Sequence, residues 1–152
     1  THLTNKIVFE SLTKKKIKSL TKFTNIKAEV KYSDSTRFDF LISNSKKKCF
    51  LEVKNVTLLR EKNIAEFPDA ITSRGTKHLN ELVDAKNKGY ESYILFLIQR
   101  EDCKLFKVAK DIDKSYKKSF DKALNNGVKV LCYDCKLNPE EIKINNEIKY
   151  VK

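Results

Sequence analysis

The sequence has no methionine and no tryptophan, and only three glycines and two prolines among 152 residues. Disordered and linker-like chains are rich in glycine, proline and polar residues, so this scarcity argues against both classes. Long apolar runs are also missing, since none approaches the roughly 20 residues that a transmembrane helix needs. Residues 1–4 lack the pattern of a signal peptide. Because Thr1 cannot be a natural start, we expect a fragment with something missing upstream.

What is present is enough for one folded domain. Apolar residues make up 40% of the chain and aromatic residues 10%, which can supply a real core. The length of 152 residues is that of an ordinary single domain, and no internal repeat or low-complexity linker divides it. We therefore predict one domain over residues 1–152, with no membrane partner.

The four cysteines suggest a reducing compartment. Cys132 and Cys135 have the spacing of half a zinc site, but no second such pair exists. A structural zinc needs four ligands, so we expect reduced thiols and a cytoplasmic location, and leave metal binding by this pair open.

The charge is strongly positive. The formal net charge is +12, from 32 basic and 20 acidic residues. Such an excess attracts phosphate polymers, which makes DNA a candidate partner. The alternative is codon drift in an AT-rich genome, because all the basic residues except Arg37, Arg60, Arg74 and Arg100 are lysines.

The first half of the chain predicts one helix followed by three strands. An apolar stripe of helical spacing predicts a helix over about residues 4–20, capped by Thr4 or Asn5. Alternating apolar residues predict strands over residues 26–32, 38–42 and 49–54, the last two joined as a hairpin.

The second half predicts helices that alternate with buried strands. A helix that begins at about Thr72 or Thr76 and runs to Lys88 is closed by Gly89. The continuous apolar run over residues 93–98 predicts a central strand covered on both faces. A third helix over residues 115–125 precedes a buried strand over residues 128–133, and the tail from 142 to 151 predicts a small peripheral hairpin. The predicted fold class is α/β (α+β), a mixed sheet flanked by helices.

Charged residues interrupt the apolar alternation of the two hairpin strands. Glu52 and Lys54 are two residues apart and therefore project from one face of their strand. Hairpin pairing can bring Asp39 beside them. The ordinary alternative is a surface ion pair, because the pattern Glu-x-Lys is common on exposed strands.

These three residue types suit metal-dependent phosphodiester chemistry. Two converging carboxylates hold a hard cation such as Mg²⁺ or Mn²⁺ through oxygen. The cation polarises a phosphate and acidifies a bound water, and Lys54 can orient that water and stabilise charge on phosphorus. We therefore predict in-line attack of water on a phosphodiester.

The arrangement Asp39…Glu52-Val53-Lys54 resembles the signature of the PD-(D/E)XK nuclease superfamily. Longer stretches, residues 50–58 and 65–79, resemble the sugar fermentation stimulation protein A family, as do shorter ones at 5–12, 35–40 and 96–102. The likeness covers nearly the whole chain.

This resemblance implies a restriction-endonuclease-like domain that follows an N-terminal OB-like domain absent from this chain. It also implies DNA binding, a link to the regulation of sugar metabolism, and a homodimer as one assembly. For the metal, it implies the Val53 carbonyl as a ligand beside Asp39 and Glu52. Glu10, on the first helix, would support a second metal or a metal-bound water, unless it is an ordinary exposed glutamate.

Basic residues near the predicted centre are candidates for DNA contact. Arg74, Lys77 and His78 lie at the start of the second helix, where free N–H groups favour phosphate. Arg37 shares a strand face with Asp39. The alternatives are a buried polar role for His78 and an ion pair between Arg37 and a site carboxylate.

Two other functions fit the same sequence. One is a non-catalytic DNA-binding regulator of sugar metabolism genes that retains the nuclease fold. The other is a protein-interaction domain whose charge reflects codon usage.

Overall fold

The computed structural model describes residues 2–152, which form three α-helices, one short 3₁₀ helix and ten strands. The helices are α1 (His2–Thr13), α2 (Ser73–Asn87), α3 (Lys114–Asn125) and the 3₁₀ helix (Lys18–Leu20). The strands are β1 (Asn25–Ser33), β2 (Thr36–Ser43), β3 (Lys48–Val56), β4 (Leu58–Glu61), β5 (Ile64–Phe67), β6 (Glu91–Ile98), β7 (Leu105–Val108), β8 (Lys129–Leu137), β9 (Ile142–Glu147) and β10 (Lys149–Tyr150).

The main sheet has six strands in the order β1-β2-β3-β6-β8-β9. β1, β2 and β3 form consecutive antiparallel hairpins, and β3, β6 and β8 run parallel. Parallel neighbours need a crossover, which α2 provides between β3 and β6 and α3 provides between β6 and β8. The prediction of a mixed sheet flanked by helices is confirmed.

Helices cover both faces of this sheet. Alternate residues of β6 belong to two separate clusters of buried side chains: Ile94 and Phe96 pack with α2 and α3, and Tyr93 and Leu95 pack with α1. Each fully buried side chain of this kind stabilises the fold by about 1.5–3 kcal/mol. This double burial explains why the strand is apolar without interruption.

The structure also contains a second sheet of four strands, in the order β10-β7-β5-β4, which the sequence does not predict. β4 and β5 form a tight hairpin in which Asn63 has a left-handed φ of 69°. Strands of two to four residues carry too little alternation to be recognised in the sequence.

The first helix is shorter than predicted. It begins at His2, before the predicted caps Thr4 and Asn5, and ends at Thr13. Lys15 adopts a left-handed φ of 57°, which stops the helix. Ile17 and Leu20 are still buried, because the chain folds back through the 3₁₀ turn.

The predicted hairpin at the end of the chain is wrong. β9 extends the main sheet antiparallel to β8, whereas β10 joins the second sheet parallel to β7. Ile148 lies between them with 7% exposure, and its N–H donates to the Cys132 carbonyl at 2.7 Å. One buried residue therefore separates two strands that belong to different sheets.

The start of α2 is fixed by side-chain caps. The Thr72 hydroxyl accepts the Gly75 N–H at 2.9 Å, and Asp113 accepts both the Thr72 N–H at 2.9 Å and the Tyr116 N–H at 3.0 Å. Asp113 thus ties the N-termini of α2 and α3 together. Within residues 2–152, none of the helices combines the length and apolar character required to cross a bilayer.

Candidate active site

Asp39 lies in a fork where β2 and β3 separate. The β2–β3 ladder runs from the pair Ser43–Lys48 to the pair Phe40–Leu51 and continues no further. The Asp39 carboxylate occupies the gap: its Oδ2 accepts the Val53 N–H at 2.8 Å. A side chain therefore satisfies a main-chain donor that strand pairing leaves free.

Two neutral donors hold Asp39. Besides the Val53 N–H, the Asn5 Nδ2 on α1 donates to Asp39 Oδ1 at 2.8 Å. Neither donor carries charge, so the hydrogen bonds fix the carboxylate without neutralising it. Opposite Asp39, Glu29 on β1 adopts a left-handed φ of 53°, a local irregularity at the mouth of the fork.

Glu52 is buried beside Asp39 on the α2 side of the sheet. Only 3% of it is exposed, and its Oε1 accepts the Asp39 N–H at 3.4 Å. Its Oε2 lies 2.5 Å from His78 Nδ1 and 3.3 Å from Lys54 Nζ. The predicted convergence of Asp39, Glu52 and Lys54 is therefore present in the structure.

The two carboxyl groups differ in acidity. Burial, followed by the charge of Glu52, raises the pKa of Asp39 to about 7. Burial also opposes ionisation of Glu52, but the hydrogen bond to His78 and the charge of Lys54 lower its pKa to about 2. Glu52 is thus anionic at neutral pH, and its negative charge opposes ionisation of the neighbouring Asp39 carboxyl group.

An open cleft of about 690 Å³ gives access to this cluster. Its lining contains Asp39, Glu52, Val53 and Lys54 together with residues of α1, β2 and α2, among them His2, Asn5, Lys6, Phe9, Arg37, Arg74 and His78. Arg37 and Arg74 are exposed, and the Arg37 guanidinium donates to the Glu29 carbonyl at 3.1 Å. Cationic side chains therefore surround a carboxylate pair.

Glu10 is not brought to the cluster. It is exposed and lines a different hollow with Lys14 and Lys143. Glu10 follows Asn5 by five residues, which at about 100° per residue turns it roughly 140° around α1. The predicted support of a second metal by Glu10 therefore has no basis in this arrangement.

Two of the predicted phosphate contacts are also placed differently. Lys77 lies outside the cleft lining, and its ammonium donates to the Ser35 carbonyl at 3.2 Å. His78 lines the cleft but is only 5% exposed and faces Glu52. Its position suits the support of Glu52 rather than a direct phosphate contact.

Sequence reasoning missed the contribution of α1. His2, Asn5, Lys6 and Phe9 have the spacing of one helix face, and all four line the cleft. The signal available was the polar and basic character of a face next to the buried Ile7 and Val8 stripe. Without the sheet geometry, nothing indicated that this face meets Asp39.

The donor set fits a hard cation in part. Among residues 2–152, no group of three or more His, Cys, Asp or Glu side chains forms a complete metal site. Asp39 and Glu52 supply carboxylate oxygens, and a main-chain carbonyl, water and substrate phosphate would have to complete the coordination. Such incomplete protein ligation is usual for Mg²⁺.

The cysteine pair does not form a second metal centre of this kind. Cys132 packs in the cluster that contains Phe96, and Cys135 packs in the cluster that contains Leu95. Residues three apart on a strand face opposite sides of the sheet, so the two thiols diverge. Burial raises the pKa of both thiols.

Comparison with known proteins supports the same fold. A family model described as the sugar fermentation stimulation protein RE domain matches residues 2–141. A sugar fermentation stimulation protein homolog of Pelagibacter ubique is 52% identical over 99% of this chain and 65% of that protein. A homolog of Agrobacterium fabrum is 39% identical over 98% of this chain and 63% of that protein.

A solved structure also matches closely. The structure of Pyrococcus furiosus SfsA in complex with Ca²⁺ superposes with a TM-score of 0.91 at 27% identity, over 99% of this chain and 65% of that one. The predicted restriction-endonuclease-like fold is thus confirmed. The chain spans slightly less than two thirds of the length of these relatives.

Proposed function

We propose that this chain, which belongs to the sugar fermentation stimulation protein family, is a divalent-metal-dependent nuclease domain that hydrolyses phosphodiester bonds of DNA. The observation that carries the proposal is the meeting of Asp39, Glu52 and Lys54 at the base of one open, basic cleft. Two carboxylates and a lysine at this spacing match the needs of phosphoryl-transfer chemistry.

Asp39, Glu52 and the Val53 carbonyl would hold the cation, with Mg²⁺ or Mn²⁺ as the expected ion. Asp39 supports this assignment because its two hydrogen-bond donors are neutral and leave its charge uncompensated. The Ca²⁺ of the Pyrococcus furiosus protein is an oxygen-seeking cation of the same hard class. When bound, the metal would polarise the phosphodiester and lower the pKa of a water.

The remaining groups have separate tasks in this proposal. Lys54 keeps its ammonium 3.3 Å from Glu52 Oε2, where it can stabilise negative charge that develops on phosphorus. His78 contacts the same Glu52 oxygen and holds the carboxylate in place. Arg37 and Arg74 are exposed at the cleft and would bind the phosphates of the substrate strand, with Lys77 reaching a phosphate outside it.

The length that the relatives have beyond this match is where we place the OB-like domain of the intact protein. Domains of that fold bind nucleic acid by a basic groove and stacking residues, and would add affinity that this chain lacks. A homodimer remains a further expectation for the intact protein.

Cleavage of labelled DNA in Mg²⁺ or Mn²⁺ tests the proposal. Lys54→Ala and Asp39→Asn should each lower the rate by about 100-fold or more, because each removes a group aimed at the reacting phosphate. Lys48→Ala is the matched control: Lys48 is an exposed lysine on the same strand, outside the cleft. Equal cleavage by all variants would overturn the proposal, because the activity would then not depend on Asp39 or Lys54.

A non-catalytic regulator is the second candidate. It is favoured by the relatives' name, which describes stimulation of sugar fermentation rather than cleavage. It predicts DNA binding that weakens steeply with salt, without cleavage in any cation. Loss of binding in Arg74→Ala, with binding retained in Arg100→Ala, would support it, because Arg100 is outside the cleft and paired with Asp102.

A further inference from the structure

Phe9 is exposed where an apolar side chain is not expected. It is 44% exposed, and no other phenylalanine or tyrosine among residues 2–152 is exposed. It lines the cleft that contains Asp39 and Glu52. The other aromatic residues of the described chain are buried or half-buried, so an aromatic surface is offered to solvent at the candidate active site.

The position of Phe9 is fixed relative to the carboxylates. It follows Asn5 by four residues on the same face of α1, which corresponds to about 6 Å along the helix axis. Asn5 itself holds Asp39 at 2.8 Å. The ring of Phe40 supports Phe9 from the sheet, with ring centroids 6.5 Å apart and planes inclined by 25°.

The surroundings of Phe9 are cationic. Lys6 lies on the same helix face, and Arg37 lines the cleft from β2. A ligand that fills this part of the cleft must therefore present a flat apolar group together with an anion. A nucleotide has both: its base can stack on the ring while its phosphate meets the lysine and arginine.

We propose that Phe9 stacks on an unpaired base adjacent to the phosphate that is cleaved, so that the substrate is single-stranded or locally opened DNA. This inference rests on the proposed nuclease function and specifies its substrate class. In an intact duplex each base is already stacked on its neighbours, so a side chain on the rim of the cleft reaches only bases that have left the stack.

The absence of tryptophan from the chain provides a direct probe. Phe9→Trp introduces the one tryptophan of this chain at the cleft, where its emission can be followed separately from that of the six tyrosines. Leu3→Trp is the matched control, because Leu3 is 48% exposed on the same helix but does not line the cleft. With Ca²⁺ as the cation, a single-stranded oligonucleotide should quench Phe9→Trp saturably, a blunt duplex should quench it much less, and Leu3→Trp should respond weakly to both.

An abasic strand separates stacking from charge. Phe9→Ala should weaken binding of a normal single strand by about 5- to 150-fold, which is the loss of affinity expected when one base no longer stacks on an aromatic side chain. The same substitution should have little effect on a strand without bases, and Phe9→Tyr should restore affinity for the normal strand. An equal loss on both strands would mean that Phe9 acts on the shape of α1, which would overturn the proposal.

The outcomes distinguish this inference from the proposed function. If the wild type cleaves duplex DNA in a Lys54-dependent manner while Phe9→Trp is not quenched, Phe9 does not stack and the nuclease proposal stands. A Phe9→Trp emission already shifted to the blue without DNA, together with self-association, would show that a protein surface covers the ring instead. If no form of DNA is bound or cleaved, both proposals fail.

Discussion

Two glutamates of this domain are almost fully buried, and their surroundings differ. Glu66 on β5 is 1% exposed, and both of its oxygens accept from Arg60, at 2.9 and 2.7 Å. The same guanidinium binds Asp111 at 2.7 and 2.8 Å, so one cation lies between two carboxylates. Glu52 on β3 is 3% exposed, but its neighbouring carboxylate, Asp39, has no cationic partner among its hydrogen bonds.

The difference separates a structural ion pair from a site prepared for a ligand. Around Glu66, planar bidentate contacts satisfy each charge within the protein. Around Glu52, Lys54 and His78 approach from one side, and Asp39 raises the negative charge on the other. A buried carboxylate pair that the protein leaves only half neutralised attracts a cation from outside.

Glu52 and Glu66 should differ most in their contribution to cation binding. Glu52→Gln should weaken Ca²⁺ binding by at least about 100-fold, because it removes a carboxylate expected to bind the cation. Substitution of a residue that only supports a metal ligand costs less, about 10- to 100-fold in metal affinity. Glu66→Gln should leave Ca²⁺ affinity unchanged, because Arg60 and Asp111 already complete that cluster. Isothermal titration of both variants measures the contrast, and comparable affinity losses would show that Glu66 also belongs to a cation site.

The two glutamates should also differ in their contribution to folding stability, where Glu66 matters more. Glu66→Gln replaces one charged hydrogen bond to Arg60 by an amide N–H that faces the guanidinium, which should destabilise the fold by about 2 kcal/mol. Urea denaturation of the metal-free protein measures the change. Glu61→Gln provides the control, because the Glu61–Lys107 pair is exposed and should contribute nothing measurable. An unchanged unfolding midpoint for Glu66→Gln would mean that solvent reaches this pair.

The elements that the sequence predicts well are those whose apolar pattern extends over many residues. β2, β3, β6, α2 and α3 were predicted close to their observed bounds, because their patterns extend over many residues. β4, β5 and β7 were not found, since four residues give no distinctive pattern. The end of α1 was missed because Lys15 stops the helix by a left-handed turn, while the apolar stripe continues to Leu20.

The candidate site likewise contains residues whose place could be predicted from the sequence and residues whose place could not. Asp39, Glu52 and Lys54 follow from strand period and residue chemistry, so their convergence could be predicted. The role of Asn5 could not, because it depends on how α1 crosses the fork between β2 and β3. For His78, the sequence left phosphate contact and burial open, and only the packing of α2 against Glu52 distinguishes them.

The Asp39 carboxylate should have a smaller effect, on the stability of the metal-free protein. Asp39→Asn should make the metal-free protein more stable at pH 8, by about 1–2 kcal/mol. This is less than the whole shift in the pKa of Asp39 would give at roughly 1.4 kcal/mol per unit. The physical reason is that folding raises the pKa of Asp39 from 3.8 to about 7. The folded wild type binds the proton more tightly than the unfolded chain, so its stability falls as pH rises from about 4 to about 7.

The pH profile therefore decides what Asp39 contributes. The variant keeps an acceptor for the Val53 N–H, and the Asn5 amide can turn to accept from the new amide, so its advantage should be small at pH 4 and complete above pH 7. Asp34→Asn, at an exposed turn before β2, is the matched control for the exchange of a carboxylate for an amide. Adding Ca²⁺ should reverse the order, since a cation that binds only the folded wild type stabilises it by mass action. If the variant is instead less stable than the wild type at pH 8, Asp39 has the same role as Glu66: its charged carboxylate stabilises the fold.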